Sequence, residues 1–245
     1  MLFRSGLLGV LFAIAIPCSA TSAELQSSKV SDTVVAKLVI LRPDLSVIRA
    51  KSAPIPNMVE IELTGGTLLY ASADGRYLIA GDLYELGDKL INVSQKARDE
   101  KRKELIEQVS LSDMAIFPAQ GHRKAVMTVF TDIDCSFCRK LHQEVPEINK
   151  MGVEVRYLAY PRSGLSSPGY DKLVTAWCSR DRQDAITRMK RGEELPAKSC
   201  DNPVAREFEL GQLTGLTGTP SIVLEDGRML DGYLSAEQIK QQLGI

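Results

Sequence analysis

The sequence predicts an α+β protein in two parts: a small N-terminal unit of one helix and a strand meander, and a C-terminal unit opening strand–helix–strand. Three observations lead there. Cysteines are absent between Glu24 and Asp134 and then occur at 135, 138, 178 and 200. A charge-dense stretch from Lys96 to Glu107 separates the two regions. Apolar patterning also changes, from alternation over Met58–Leu63 to a nearly continuous run over Ala125–Thr131. Alternation reads as a half-buried strand and a continuous run as a strand buried on both faces.

The first 23 residues form a separate element. Arg4 precedes an apolar run from Leu7 to Ile16, Pro17 breaks it, and Thr21-Ser22-Ala23 supplies small residues. This layout predicts a secretory signal peptide over 1–23. The apolar core is too short to span a bilayer comfortably. A buried N-terminal helix is one alternative. Acylation at Cys18 is another, opposed by Pro17 directly before it. Cleavage after Ala23 removes Cys18 and turns five cysteines into four, an even count that permits two disulfides in an oxidising compartment. The mature protein is expected to be secreted.

Residues 24–92 are expected to form a small dimerisation domain. A helix runs from Ser28 to Leu41 and ends at Arg42-Pro43. Strands follow at Leu45–Ala50, Met58–Leu63, Thr67–Tyr70 and Arg76–Ile79, with turns at Gly65-Gly66 and Asp74-Gly75. One helix and three or four strands make a thin core. Such a unit often pairs with a copy of itself to cover an exposed face or edge.

Residues 93–112 read as a linker. The helix expected from Gln95 to Gln108 carries nine charged residues between Lys96 and Glu107 and is polar all round in its first half, as solvent-bridging helices are. An ordinary surface helix is the alternative.

Residues 113–245 form the C-terminal unit. A buried strand over Ala125–Thr131 leads to a helix starting near Cys135, and Val153–Leu158 is a second buried strand. Helices are expected over Tyr170–Ser179, Arg182–Arg191 and Pro203–Leu213. A hairpin turns at Asp226-Gly227 between Ser221–Leu224 and Arg228–Leu230, and a helix over Ser235–Leu243 closes the chain. This is the order of a thioredoxin-like domain with an inserted helical segment.

Cys135-Ser136-Phe137-Cys138 sits where the first buried strand turns into a helix. The first turn of a helix leaves N–H groups unpaired and presents partial positive charge, which stabilises a thiolate there. Two intervening residues put the second sulfur one turn later on the same face. Cys138, Leu141, Val145 and Ile148 form an inward stripe, which buries Cys138 and leaves Cys135 at the tip. Cys135 is then the attacking nucleophile and Cys138 the resolving thiol. Ser136 and Phe137 border the attacking sulfur and are candidate substrate contacts. Zinc is disfavoured: Cys178 and Cys200 form no second close pair, and the only histidines are His122 and His142. No metal or other cofactor is expected. A purely structural CxxC disulfide closes too small a loop to stabilise much.

Cys178 and Cys200 have no neighbouring CxxC, and Cys178 lies beside Trp177. They read as a structural disulfide, worth roughly 3 kcal/mol by loop closure, with a second redox pair as the alternative. Asp134 either opposes a Cys135 thiolate or caps the helix. His142 either faces the site or is a surface or hydrogen-bonded histidine. Pro146 is expected to kink the helix. Thr217-Gly218-Thr219-Pro220 precedes a strand. Pro220 resembles the cis-proline that thioredoxin-like proteins carry opposite a CxxC, exposing backbone for an extended substrate. An ordinary loop proline is the alternative.

Together these segments resemble the bacterial periplasmic disulfide isomerases of the DsbC/DsbG type. The resemblance rests on Val129-Phe130-Thr131-Asp132 leading into Cys135–Cys138, then Lys140-Leu141-His142, Val155–Ala159, Trp177-Cys178, Ser199-Cys200-Asp201 and Gly218-Thr219-Pro220. In the N-terminal half it rests on Leu69-Tyr70, Asp74-Gly75 and Ile79–Tyr84. It implies a V-shaped homodimer with two catalytic domains facing an apolar cleft. It also implies misfolded, disulfide-containing secreted proteins as substrates, and recycling by a membrane reductase of the DsbD type. Carried over, Cys135 and Cys138 match the exchange pair, Thr219 and Pro220 the substrate-facing dipeptide, and Cys178 and Cys200 the structural pair. Where better-known isomerases of the family carry Gly-Tyr between the cysteines, this chain has Ser136-Phe137. The expected activity is isomerisation of wrong disulfides by a reduced CxxC. The alternatives are a reductase of single cysteines and a dimeric holdase with secondary redox activity. With 30 basic and 31 acidic residues, the chain has no bulk attraction for nucleic acid.

Overall fold

The computed structural model describes residues 22–245. The expected signal peptide lies outside the described residues except at Ser22 and Ala23, where helix α1 (Ser22–Leu41) begins. Val34 and Leu38 of α1 pack on Val59, Ile61, Leu63, Leu69 and Ala71 of an antiparallel sheet. Its strands are β1 (Val47–Ser52), β2 (Met58–Leu63), β3 (Leu68–Ser72) and β4 (Leu78–Ala80), in spatial order β1-β2-β3-β4. Val59 faces Ala71 and Ile61 faces Leu69 across the ladder. The β2–β3 turn is made by Gly65 and Gly66, both at positive φ, where an L side chain is strained.

Alternation in β2 implied one wet face, but Glu60 and Glu62 are buried as well. Each has a cation at the sheet surface. Lys51 Nζ lies 3.1 Å from Glu60, and Arg49 Nη2 lies 3.0 Å from Glu62. Tyr70 donates its hydroxyl to Glu60 at 3.3 Å. Buried carboxylates persist only when paired and hydrogen-bonded in this way.

A short hairpin, β5 (Tyr84–Leu86) and β6 (Leu90–Asn92), leads into α2 (Val93–Glu107). The helix starts two residues before the expected Gln95, because the Asn92 side chain accepts the Gln95 N–H at 2.8 Å. One residue of α2 departs from the solvent-bridging reading. Arg102 is buried, donating to the Thr214 carbonyl at 3.2 Å, the Gly227 carbonyl at 2.5 Å and the Asp99 carboxylate at 2.6 Å. The helix is thereby docked on the C-terminal unit. Gly227 permits the approach: it sits at φ 85°, and a Cβ there would overlap the Asp99 carbonyl.

The C-terminal sheet runs β11-β10-β8-β9-β7. Its strands are β7 (Ala115–Phe117), β8 (Ala125–Thr131), β9 (Val153–Ala159), β10 (Ser221–Leu224) and β11 (Met229–Asp231). β8 and β9 are parallel, joined by helix α3 (Ser136–Lys150), and the other pairs are antiparallel. Every residue of β8 is buried, as its unbroken apolar run requires. Helices α4 (Pro168–Trp177), α5 (Arg182–Lys190) and α6 (Val204–Leu213) lie between β9 and β10 in the chain, and α7 (Ala236–Leu243) closes it. Trp177, Leu173 and Ile186 of this helical segment join the core of Met127, Val129, Leu141 and Ile222. The inserted helices are therefore part of the domain's core. Among the described residues, no helix is long and apolar enough to cross a membrane.

Candidate active site

The site forms where β8 ends and α3 begins. After Thr131 the chain turns through Asp132-Ile133-Asp134, and Cys135 takes the N-cap position in an extended conformation. Its Sγ accepts the Cys138 backbone N–H at 3.3 Å. It also lies 3.2 Å from the Thr219 carbonyl oxygen, within reach of S–H donation. The Thr219–Pro220 bond is cis. Two remote segments thus meet at one sulfur.

Cys135 is only 1% exposed, not at an open tip as the helix pattern implied. The Thr219 loop covers it, a contact that helix periodicity cannot reveal. Ser136 is exposed beside it, and Phe137 is 58% exposed, the apolar group that the site offers to solvent. Cys138 is buried one turn below.

The two thiols differ in acidity. Donation by the Cys138 thiol, with the Cys138 N–H and the Arg162 charge assisting, holds Cys135 down at about 5 despite burial. Burial, with that same donation second, pushes Cys138 well above the ordinary thiol range. One proton is shared unequally, so the pair is poised as one thiolate and one thiol.

Asp134 does not cap α3; the Cys135 sulfur does. The Asp134 carboxylate is drawn outward to Lys172 Nζ at 2.7 Å and Arg139 Nη2 at 3.5 Å. These cations offset its charge near the thiolate. His142 is buried, with Nδ1 3.0 Å from the Tyr157 hydroxyl and Nε2 3.0 Å from Thr187 Oγ1. Burial and the nearby Lys190 charge push it down to about 3, so it stays neutral. Pro146 lies within α3, which continues to Lys150.

Sequence reasoning gave no role to three residues of the site. Asp132 is buried and organises the loop: its carboxylate accepts the Asp134 N–H at 2.8 Å and the Arg162 N–H at 2.9 Å. Arg162 adds its Nε to the same oxygen at 3.4 Å. Lys190 reaches in from α5. The available signal for Lys190 was its place one turn after Ile186, on the apolar side of that helix. Cys178 and Cys200 are joined by a disulfide (S–S 2.04 Å) away from these residues.

Residues 19–95 match the disulfide bond isomerase protein N-terminal domain, and residues 112–244 match a thioredoxin-like domain. The thiol:disulfide interchange protein DsbC of Dickeya dadantii is 34% identical over 214 residues, 87% of each chain. The chain belongs to the DsbC family of disulfide isomerases. DsbC of Haemophilus influenzae is 33% identical, covering 89% of this chain and 92% of its own. A solved disulfide interchange protein from Neisseria gonorrhoeae is similar at 33% identity and TM-score 0.50, over 56% of this chain and 96% of that one. As a member of the DsbC family, the chain is a thiol:disulfide interchange enzyme, with the α+β architecture expected from its sequence.

Proposed function

We propose that this protein isomerises wrong disulfides in exported proteins of the periplasm, with Cys135 as nucleophile and Cys138 as resolving thiol. The observation that carries this reading is the placing of Cys135 Sγ at the N-cap of α3, 3.2 Å from the Thr219 carbonyl beside the cis Thr219–Pro220 bond, with Cys138 buried one turn below; the split acidity of the pair agrees with it. Cys135 thiolate attacks a substrate disulfide, forming a mixed disulfide and releasing a substrate thiolate. A different substrate thiol then attacks that mixed disulfide and frees Cys135, so the substrate leaves rearranged and the enzyme unchanged. Thr219 and Pro220 present backbone to an extended segment of substrate, and Ser136 and Phe137 contact it beside the sulfur. Cys178 and Cys200 serve structure rather than exchange. Escape by Cys138 leaves the enzyme oxidised, and a membrane reductase of the DsbD type restores it.

Residues 24–92 are proposed to dimerise, with 93–112 as linker and 113–245 as catalytic domain, after export directed by 1–23. Support for pairing comes from apolar side chains exposed on the N-terminal unit. Leu78 and Ile79 on edge strand β4 and Tyr84, Leu86 and Leu90 on the hairpin are all uncovered. A strand edge with such residues is aggregation-prone unless a partner covers it. The direct test is refolding of a scrambled disulfide protein by the reduced enzyme. Recovery of native substrate is expected. No recovery with wild type, or equal recovery with Cys135→Ala, would overturn the assignment.

A further inference from the structure

Lys190, the last residue of α5, is 4% exposed and reaches the loop that leads into the exchange pair. Its Nζ donates to Thr131 Oγ1 at 2.9 Å and to the Asp132 carbonyl at 3.2 Å. It sits 5.6 Å from the centroid of the buried Tyr157 ring. Among the described residues it forms no ion pair. The Asp132 carboxylate, which faces Lys190, is committed to Arg162 and the Asp134 N–H. An ammonium buried with only neutral acceptors is costly, and an apolar side chain of similar length would fill the space without that cost. Charged groups kept at such expense cluster where chemistry needs them.

The charged and titratable groups facing Lys190 come from several elements. Cys138, Cys135 and Arg139 belong to the start of α3, His142 to its next turn, Tyr157 to β9 and Asp132 to the loop after β8. Burial draws Lys190 down to about 8, and Cys138 is the strongest of the groups that oppose the fall.

We propose that Lys190 is a positioning charge for the second half of exchange, stabilising Cys138 as a thiolate once Cys135 is held in a mixed disulfide. This rests on the reading of Cys135 and Cys138 given above. In the resting reduced pair, Cys138 keeps its proton because it is buried and because it donates to Cys135. A mixed disulfide removes the negative charge from Cys135, so that donation loses its acceptor. The Lys190 charge remains facing the sulfur. Cys138 then gives its proton to water and attacks Cys135 Sγ. The Cys135–Cys138 bond forms and the Cys135–substrate bond breaks. The electron pair leaves on the substrate sulfur, which takes up a proton from water. The enzyme pair is oxidised by two electrons and the substrate disulfide is reduced by two. Cys135 also faces Lys190, but it is held near 5 and is already ionised at neutral pH, so Lys190 governs escape from trapped complexes and leaves the first attack largely alone there.

The test mixes reduced full-length protein with Ellman's disulfide reagent and follows nitrothiobenzoate release by stopped flow. The first release reports attack by Cys135, the second resolution by Cys138. In Lys190→Met the first phase is expected unchanged. If Cys138 rises by one pKa unit, its thiolate fraction at neutral pH falls about tenfold while its nucleophilicity recovers about threefold, so the second phase slows about threefold. The pH midpoint of that phase moves upward by about one unit. Lys190→Gln keeps polar partners for Thr131 and Asp132 and carries the same expectation, so the test does not depend on one variant folding. An unchanged second phase and midpoint in a folded variant would overturn the proposal, as would equal slowing of both phases, the mark of a structural role. Absence of a first phase in wild type would overturn the Cys135 assignment itself, and this proposal with it.

Discussion

Titration of Cys135 tests the chemistry at its source. The perturbation is pH, applied to the reduced protein and to Cys138→Ala. With the thiol held at about 5, Cys135 is half ionised at pH 5, whereas a thiol at the ordinary value near 9 is ionised in about one molecule in ten thousand. The thiolate fraction at pH 5 is therefore about five-thousandfold higher. A thiolate of lower pKa is also a weaker nucleophile, by about 40–100-fold over four units. Alkylation at pH 5 should then run roughly a hundredfold faster than for an ordinary thiol, while at pH 7 the two effects nearly cancel. The discriminating quantity is thus the midpoint of the rate–pH curve, followed by iodoacetamide labelling and peptide mass analysis. A midpoint near 5 is expected for Cys135. Cys138→Ala removes the strongest stabilising donor and should move it upward. A wild-type midpoint at 8 or above would refute the reasoning, and an unmoved midpoint in Cys138→Ala would refute the assigned cause. The same shift links to stability. An acid lowered on folding stabilises the folded reduced protein above pH 5, increasingly toward 9, and that contribution is lost as pH falls through 5.

Further outcomes follow from other parts of the molecule. Replacing both Cys178 and Cys200 by alanine opens a loop with a sequence separation of 22 and should cost roughly 3 kcal/mol in urea unfolding, with Cys135 labelling retained in the folded fraction. Glu207 accepts the Ala159 N–H at 2.6 Å, its other oxygen has no hydrogen-bond partner among the described residues, and burial pushes it up to about 8. An acid raised on folding loses stability as pH climbs from its ordinary value near 4.5 to about 8, so urea unfolding should show a decline over that window. Glu207→Gln should flatten the decline, by a few kcal/mol at most; an unchanged slope would locate the titrating group elsewhere. Ile79→Lys on edge strand β4 should shift the protein from dimer to monomer in analytical ultracentrifugation, and a persistent dimer would put the interface on another face.

Much of the fold was legible because its signals are local. The apolar run of β8, the stripe Cys138-Leu141-Val145-Ile148 in α3 and the hairpin at Asp226-Gly227 each carry a period or turn that neighbours in sequence suffice to define. The short strands β5, β6 and β7, of three residues each, do not. Strands that short carry no period, and their existence depends on a partner such as β9, which β7 joins in antiparallel pairing. The α2 reading missed Arg102 for a related reason. An arginine on a charged helix looks solvated until the carbonyls of Thr214 and Gly227 are brought to it.

The sequence by itself determined the chemistry: two thiols one turn apart at the mouth of a helix, after a strand that had to be buried. Spacing and helix geometry suffice for that, since both sulfurs belong to one local element. Only the tertiary structure decided the environment of those sulfurs. It covered Cys135 with Thr219, turned Asp134 away to Lys172, and set the Lys190 ammonium facing Cys138 from a helix more than fifty residues downstream. Electrostatic fields and desolvation depend on distance in space, and distance along the chain does not encode them.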